Sequence, residues 1–214
     1  MFETATGFAF PQSLTEKYRP RIVADFIGLE KPRKVLAAFL ARPAPSAWLF
    51  TGPPGVGKTT MALALAAQLG AELHKIPSQK CTAANVEDTI RLCWYLPSKL
   101  GGFHLVLVDE ADQMSNAAQL ALLSKLDATD HPPQTIFIFT ANDTERLEKR
   151  FLSRCHTLEF SSYGMREALA TFLAKVWNLE TGTETGPDFL RIAKDSTNNV
   201  RDALMRLDVE ILGR

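Results

Sequence analysis

Gly52-Pro53-Pro54-Gly55-Val56-Gly57-Lys58-Thr59 fits the pattern GxxxxGK[ST] and lies between an apolar run, residues 47–50, and a helix-forming run, residues 60–69. A strand before and a helix after are the context that makes this pattern a phosphate-binding loop. The glycines let successive backbone N–H groups curl around phosphate oxygens. Lys58 reaches the β and γ phosphates, and the Thr59 hydroxyl ligates Mg²⁺ at a helix N-terminus.

Working outward, short apolar runs read as strands at 47–50, 72–76, 104–108, 135–140 and 156–160, with helical stretches between most of them. Strands alternating with helices imply an α/β fold with a five-stranded parallel sheet covered on both faces. The run His104-Leu-Val-Leu-Val108 lacks polar alternation and is expected mid-sheet. After Phe160 only helical spacing remains, at 166–179, 187–194 and 199–212, with Pro187 suited to a first turn. Ser161-Ser-Tyr-Gly164 marks the expected boundary between an α/β domain, residues 1–162, and a small all-α domain, residues 163–214.

Basic and acidic residues balance at 24 each, so no global positive field drives nucleic-acid binding and any such contact must be local. Cys81, Cys93 and Cys155 are sparse, odd in number and without CxxC spacing, which argues against a disulfide framework and a structural zinc site. A cytoplasmic setting, or a nuclear one in a eukaryote, fits them. Residues 1–12 lack a basic flank followed by an apolar run, and the longest apolar stretch, 61–67, is far short of a bilayer span. A soluble, untargeted chain is expected, with no membrane partner.

The third strand ends in Asp109-Glu110-Ala-Asp112, which places carboxylates at the carboxyl edge of the sheet beside the phosphate loop. Asp109 can hold the Mg²⁺ shell and Glu110 can polarise an attacking water, although carboxylates also favour helix starts. The fourth strand ends in Thr140-Ala-Asn142, where the amide can orient water or touch the γ phosphate, or can equally cap a turn before Asp143. Cys155 reads as packing, and Trp48, Trp94 and Trp177 as core.

Together with Glu16-Lys-Tyr-Arg-Pro20 and Ser153-Arg-Cys155, these motifs resemble AAA+ ATPases of the clamp-loader kind, and among them the small subunits of replication factor C. The resemblance spans residues 14–212 and implies a P-loop AAA+ domain followed by a helical lid. It implies ATP with Mg²⁺, held by the phosphate loop and Thr60, with Tyr18, Arg19, Pro20 and the Ile27-Gly28 region lining the adenine pocket. By position, Asn142 is implied as the sensor beside the γ phosphate and Arg154 as the finger entering a neighbour's site. Arg201 is implied as the second sensor, which brings the lid onto ATP. A permanently charged planar donor suits those last two roles. Without the resemblance, both arginines would read as solvated surface charges.

The implied partners are other clamp-loader-type subunits in a ring, a sliding clamp, and primer–template DNA met without sequence preference near Gln79-Lys80 and Ser115-Asn116. Three departures accompany the resemblance. The resemblance implies a helical collar domain after the lid, where this sequence stops at Arg214, as expected of either a fragment or a reduced relative. The basic pair usual after the Ala-Gln helix is replaced by Leu122-Leu123-Ser124, and the cysteine zinc module of bacterial motor subunits is lacking. Two other functions stay open at this stage: a branch-migration or recombination motor, and a nucleotide-gated interaction module with little turnover.

Overall fold

The structure, a computed structural model, describes residues 12–77, 81–99, 101–127 and 129–213. The readings of residues 1–11 and of Gln79-Lys80 lie outside the described residues. In chain order the elements are α1 (Leu14–Lys17), α2 (Glu30–Ala41), β1 (Ser46–Thr51), α3 (Lys58–Leu69), β2 (Glu72–Pro77), α4 (Ala83–Cys93) and β3 (His104–Asp109). They continue with α5 (Asn116–Leu126), β4 (Thr135–Ala141), α6 (Lys149–Leu152), β5 (His156–Glu159), α7 (Arg166–Thr181), α8 (Phe189–Asp195) and α9 (Val200–Leu212).

All five strands are parallel, in the order β2-β3-β4-β1-β5. Successive side chains alternate between faces, so each interior strand feeds two cores. Ala47, Leu49, Val106, Val108, Phe137 and Phe139 pack beneath α4, α5 and α6. Trp48, Phe50, Leu105, Leu107, Ile136 and Ile138 pack beneath α2 and α3. A third core, built from Leu14 and the apolar faces of α7, α8 and α9, includes Leu173, Trp177, Leu204 and Leu207. Ser161 to Gly164 lie in the connection from β5 to α7.

β3 is an interior strand, but the centre of the order falls to β4, every residue of which is buried. Apolar runs on two neighbouring interior strands look alike, so composition alone does not decide which lies in the middle. The edge strands β2 and β5 keep exposed residues along their length.

Helix starts also differ from the sequence reading, for local reasons. α3 begins two residues earlier, at Lys58, because Gly57 takes the N-cap with a φ of 98°. α8 begins after Pro187, because the Asp188 side chain accepts the Arg191 N–H at 3.0 Å and so becomes the cap. Asn199 likewise caps α9 by accepting the Asp202 N–H at 3.1 Å. Trp48 and Trp177 are buried as expected, but Trp94 is 51% exposed. It stands one residue past Cys93, the last core-facing position of α4.

Phe139 is fully buried and meets Phe151 edge-on, with ring centroids 4.8 Å apart. Phe139→Ala is expected to lower the unfolding free energy by about 3–5 kcal/mol in denaturant titrations. Leu120→Ala, at an exposed position of α5, should change it by less than about 0.5 kcal/mol.

Candidate nucleotide site

The strand order places β4 between β1 and β3, so the carboxyl ends of three adjacent strands meet at one edge. β1 leads into the loop 52–59, β3 into Asp109 and Glu110, and β4 into Asn142. Crevices at the carboxyl ends of parallel strands are where such sheets bind ligands.

The loop needs its glycines. Gly52 has a φ of 143°, and a Cβ there would lie 2.0 Å from the Phe160 carbonyl oxygen. Gly55 has a φ of 75°, and a Cβ there would lie 2.1 Å from Asn199 Oδ1. Lys58, although at a helix start, is buried. Its Nζ donates to the carbonyl oxygens of Gly52 at 2.6 Å and Pro53 at 2.9 Å, and to Asn142 Oδ1 at 3.0 Å. Burial pulls the Lys58 amine below the ordinary lysine range, while the carboxylates of Asp112, Asp109 and Glu110 oppose that pull.

Asn142 therefore serves the loop lysine. The turn role open to it in sequence falls instead to Asp143, whose Oδ1 accepts the Glu145 N–H at 3.1 Å. Asp109 Oδ1 accepts two hydroxyls, Thr59 Oγ1 at 2.7 Å and Thr140 Oγ1 at 2.6 Å. Thr59 and Asp109 thus supply hard oxygen donors side by side at the N-terminus of α3, a set that suits Mg²⁺ with phosphate and water completing its shell. Glu110 stands in the left-handed region at a φ of 55°, and its N–H donates to Thr140 Oγ1 at 3.0 Å. A non-glycine residue held there costs of order 1 kcal/mol, and such strain concentrates at functional sites. Among the described residues the Glu110 side chain makes no hydrogen bond, and it is exposed.

A cavity of about 780 Å³, within the range of small-molecule sites, opens beside the loop. Its walls combine Tyr18, Arg19, Pro20 and Ile27 with Gly55, Val56, Gly57 and Thr60, and with Val176, Arg201 and Leu204 of the C-terminal helices. Tyr18 is fixed by Phe172, edge-on at 6.3 Å, and by a short hydrogen bond donated to Glu180. Burial first, then Glu180, pushes the Tyr18 phenol up to about 12. Arg19 donates to Glu16 at 2.6 Å. Gly28 packs against Met165 and does not line this cavity. Arg201 in the first turn of α9 is exposed, and among the described residues it pairs with no carboxylate.

Arg154 is not brought to this site. It precedes β5 at the amino edge of the sheet, where His156 aligns with Trp48, so the loop at the far end of β1 lies more than about 10 Å away. There Arg154 donates from Nε at 2.6 Å and Nη2 at 3.1 Å to the two Asp127 carboxylate oxygens, and from Nη1 to the Arg150 carbonyl oxygen. The Cys155 thiol is pushed up to about 12 by burial, as befits a packing residue.

Four contacts escape the sequence reading: Thr140 on Asp109, Glu180 on Tyr18, Asp127 on Arg154, and Asn199. The Asn199 Nδ2 donates to the Pro54 carbonyl oxygen at 3.2 Å and so ties α9 to the phosphate loop. No sequence pattern marks these pairs, which join positions 27 to 162 residues apart.

Comparison with known proteins follows the same lines. The family described as ATPase family associated with various cellular activities (AAA) matches residues 48–163. Replication factor C small subunit 1 of Pyrobaculum aerophilum is 31% identical over 202 residues, which cover 91% of this chain and 60% of that protein. DNA polymerase III subunit gamma of Buchnera aphidicola is 29% identical over 225 residues, covering 92% of this chain and 60% of that one. The chain thus spans about 60% of the length of these relatives. Among solved structures, the Thermotoga maritima RuvB Holliday junction branch migration motor superposes with a TM-score of 0.73 at 22% identity, over 89% of this chain and 64% of that one. That likeness speaks for the fold. The motif resemblance to replication factor C small subunits is borne out, and the chain belongs to the AAA family of ATPases.

Proposed function

We propose that this chain is an ATP-hydrolysing motor subunit of the clamp-loader kind, acting in a ring with like subunits at a sliding clamp and primer–template DNA. The observation that carries the reading is the meeting of Lys58, Thr59, Asp109, Glu110 and Asn142 at one sheet edge, while Arg154 faces away at the other.

ATP lies with its phosphates on the loop 52–59 and its base toward Tyr18, Pro20 and Ile27 in the cavity. The buried Lys58 ammonium meets phosphate oxygens where water is scarce, so its charge acts at low dielectric. Asn142 holds that ammonium from the β4 side, and its amide would meet the γ phosphate there. Thr59 and Asp109 would hold Mg²⁺, and the ion would supply positive charge to offset that of the phosphates. Glu110, strained and without a side-chain hydrogen bond among the described residues, takes a proton from the attacking water. Arg201 reaches the phosphates from α9, and the Asn199 contact to Pro54 couples the C-terminal helices, as a lid, to the loop.

Arg154, presented by Asp127 at the opposite edge, serves the site of a neighbouring subunit. DNA contact is expected to be sequence-independent and salt-sensitive, through helix starts such as Ser115-Asn116. The chain's zero net charge makes binding by a lone subunit weak. Leu122 and Leu123, which stand where the basic pair after the Ala-Gln helix would be, are core residues, and Lys125 pairs with Asp130. Among the described residues no helix is long and apolar enough to cross a membrane.

Glu110→Gln is expected to lower ATP turnover about 10²- to 10⁴-fold while nucleotide binding is kept; unchanged turnover would count against its role. Lys58→Ala should abolish binding or turnover, and retained activity would rule out phosphate binding by the loop. Arg154→Ala should lower turnover of the assembled protein about 10³- to 10⁵-fold without weakening ATP binding. Mixing the Arg154→Ala and Glu110→Gln chains should then restore part of the activity, because a site with an intact Glu110 can receive an intact Arg154 from its neighbour. No recovery on mixing would argue against a finger acting between subunits.

A further inference from the structure

On the sheet face opposite α3, and independent of the nucleotide site, three side chains from separate elements meet: His74 of β2, Cys93 at the end of α4 and His104 at the start of β3. Each offers a ligand atom within 4.8 Å of the other two. His74 Nε2 and His104 Nδ1 face each other at 3.0 Å. We propose that His74, Cys93 and His104 form a zinc site that fastens the end of α4 to the first two strands of the sheet order.

The surrounding hydrogen bonds favour ligation. His104 Nε2 lies 3.0 Å from the Tyr95 carbonyl oxygen, which can only accept, so the His104 proton sits on Nε2 and the Nδ1 lone pair points toward His74 and Cys93. A histidine that gives its remote N–H to a backbone carbonyl and turns the other nitrogen inward has the arrangement found around ligated zinc. Cys93 is fully buried; its S–H donates to the Thr89 carbonyl oxygen of its own helix at 3.4 Å, and the Thr135 hydroxyl is a donor to its sulfur. His104 is 2% exposed and His74 is half-buried, which leaves the His74 side for a water as fourth ligand.

Two imidazoles and one thiolate are a borderline-soft set. They suit Zn²⁺, at about 2.0–2.1 Å to nitrogen and 2.3 Å to sulfur, and not Mg²⁺, which seeks oxygen. Binding exchanges the Cys93 proton, released to solvent, for the metal. Spacing in sequence conceals the site because each ligand comes from a different element, with no CxxC or HxxxH pair to signal it.

The site has a local consequence. Its Tyr95 carbonyl, together with Glu72, which accepts the Ser98 N–H at 3.0 Å and hydroxyl at 2.8 Å, pins a segment that exposes Trp94, Tyr95 and Leu96. A metal at this corner would hold that segment in one conformation.

The test uses the full chain, freed of metal by chelator, titrated with Co²⁺ as a spectroscopic probe and with Zn²⁺ in a competition assay. One equivalent of Co²⁺ should give the visible bands of a four-coordinate site with a thiolate-to-metal charge-transfer band, and one equivalent of Zn²⁺ should erase them and raise Tm. Cys93→Ser should remove the charge-transfer band and weaken Zn²⁺ at least about 100-fold, with circular dichroism confirming that the variant folds. His74→Gln, at a half-exposed position, should weaken Zn²⁺ comparably and serves if the Cys93 variant does not fold. Absence of the bands in the unaltered chain would overturn the proposal. So would bands that survive Cys93→Ser, or equal Zn²⁺ affinity in the unaltered and His74→Gln chains.

Discussion

One carboxylate holds three elements in register at the sheet edge. Asp109 Oδ1 accepts the Thr59 hydroxyl from the helix after the phosphate loop and the Thr140 hydroxyl from the neighbouring strand. Hydrogen bonds to a charged acceptor contribute about 1.5–3 kcal/mol each. Their value here is geometric, because they fix the loop helix, β3 and β4 to one point. Thr140 also takes the Glu110 N–H, so the same hydroxyl that anchors Asp109 holds the strained backbone of the residue beside it. The positions of Lys58 and Asn142 follow, since both hang on the ends of elements that Asp109 has joined.

The second constraint is steric and lies in the loop itself. Gly52 leaves room for the Phe160 carbonyl, and Gly55 leaves room for the cap of α9. Phe160 ends the sheet and Asn199 begins the last helix, so the loop is read by both halves of the chain. Any shift of α9 is felt at Pro54 through the Asn199 amide. The nucleotide cavity lies between these same parts, walled by the N-terminal segment, the loop and the C-terminal helices. A ligand that fills it would touch the N-terminal segment, the loop, α7 and α9 together.

Much of this was legible in sequence because it is periodic or local. The five strands stand where their apolar runs lie, each within a residue or two of its expected ends, and the phosphate loop stands between strand and helix as its pattern requires. Asp109, Glu110 and Asn142 stand at the carboxyl edge because strand ends in a parallel sheet share one side. What was not legible depends on partners distant in the chain. Strand order within the sheet, the Asp127 hold on Arg154, the Thr140 bridge and the His74-Cys93-His104 cluster are tertiary facts. The start of α8 differs for a smaller reason, since Pro187 and Asp188 both suit a helix start and the Arg191 N–H accepted by the Asp188 side chain decides between them. Trp94 faces solvent, against its apolar character, and an aromatic residue at a helix end has no periodicity to show which way it faces.

In the proposed motor, Lys58, Asp109 and Glu110 on one chain and Arg154 on another make one hydrolytic site. The most direct measurement is ATP turnover per chain as a function of protein concentration, followed alongside assembly by light scattering. Turnover per chain that climbs with concentration, in step with the assembled fraction, is the result expected of a site shared between subunits. Turnover that stays flat while assembly proceeds would contradict it, and would leave each chain hydrolysing ATP without its neighbour's arginine.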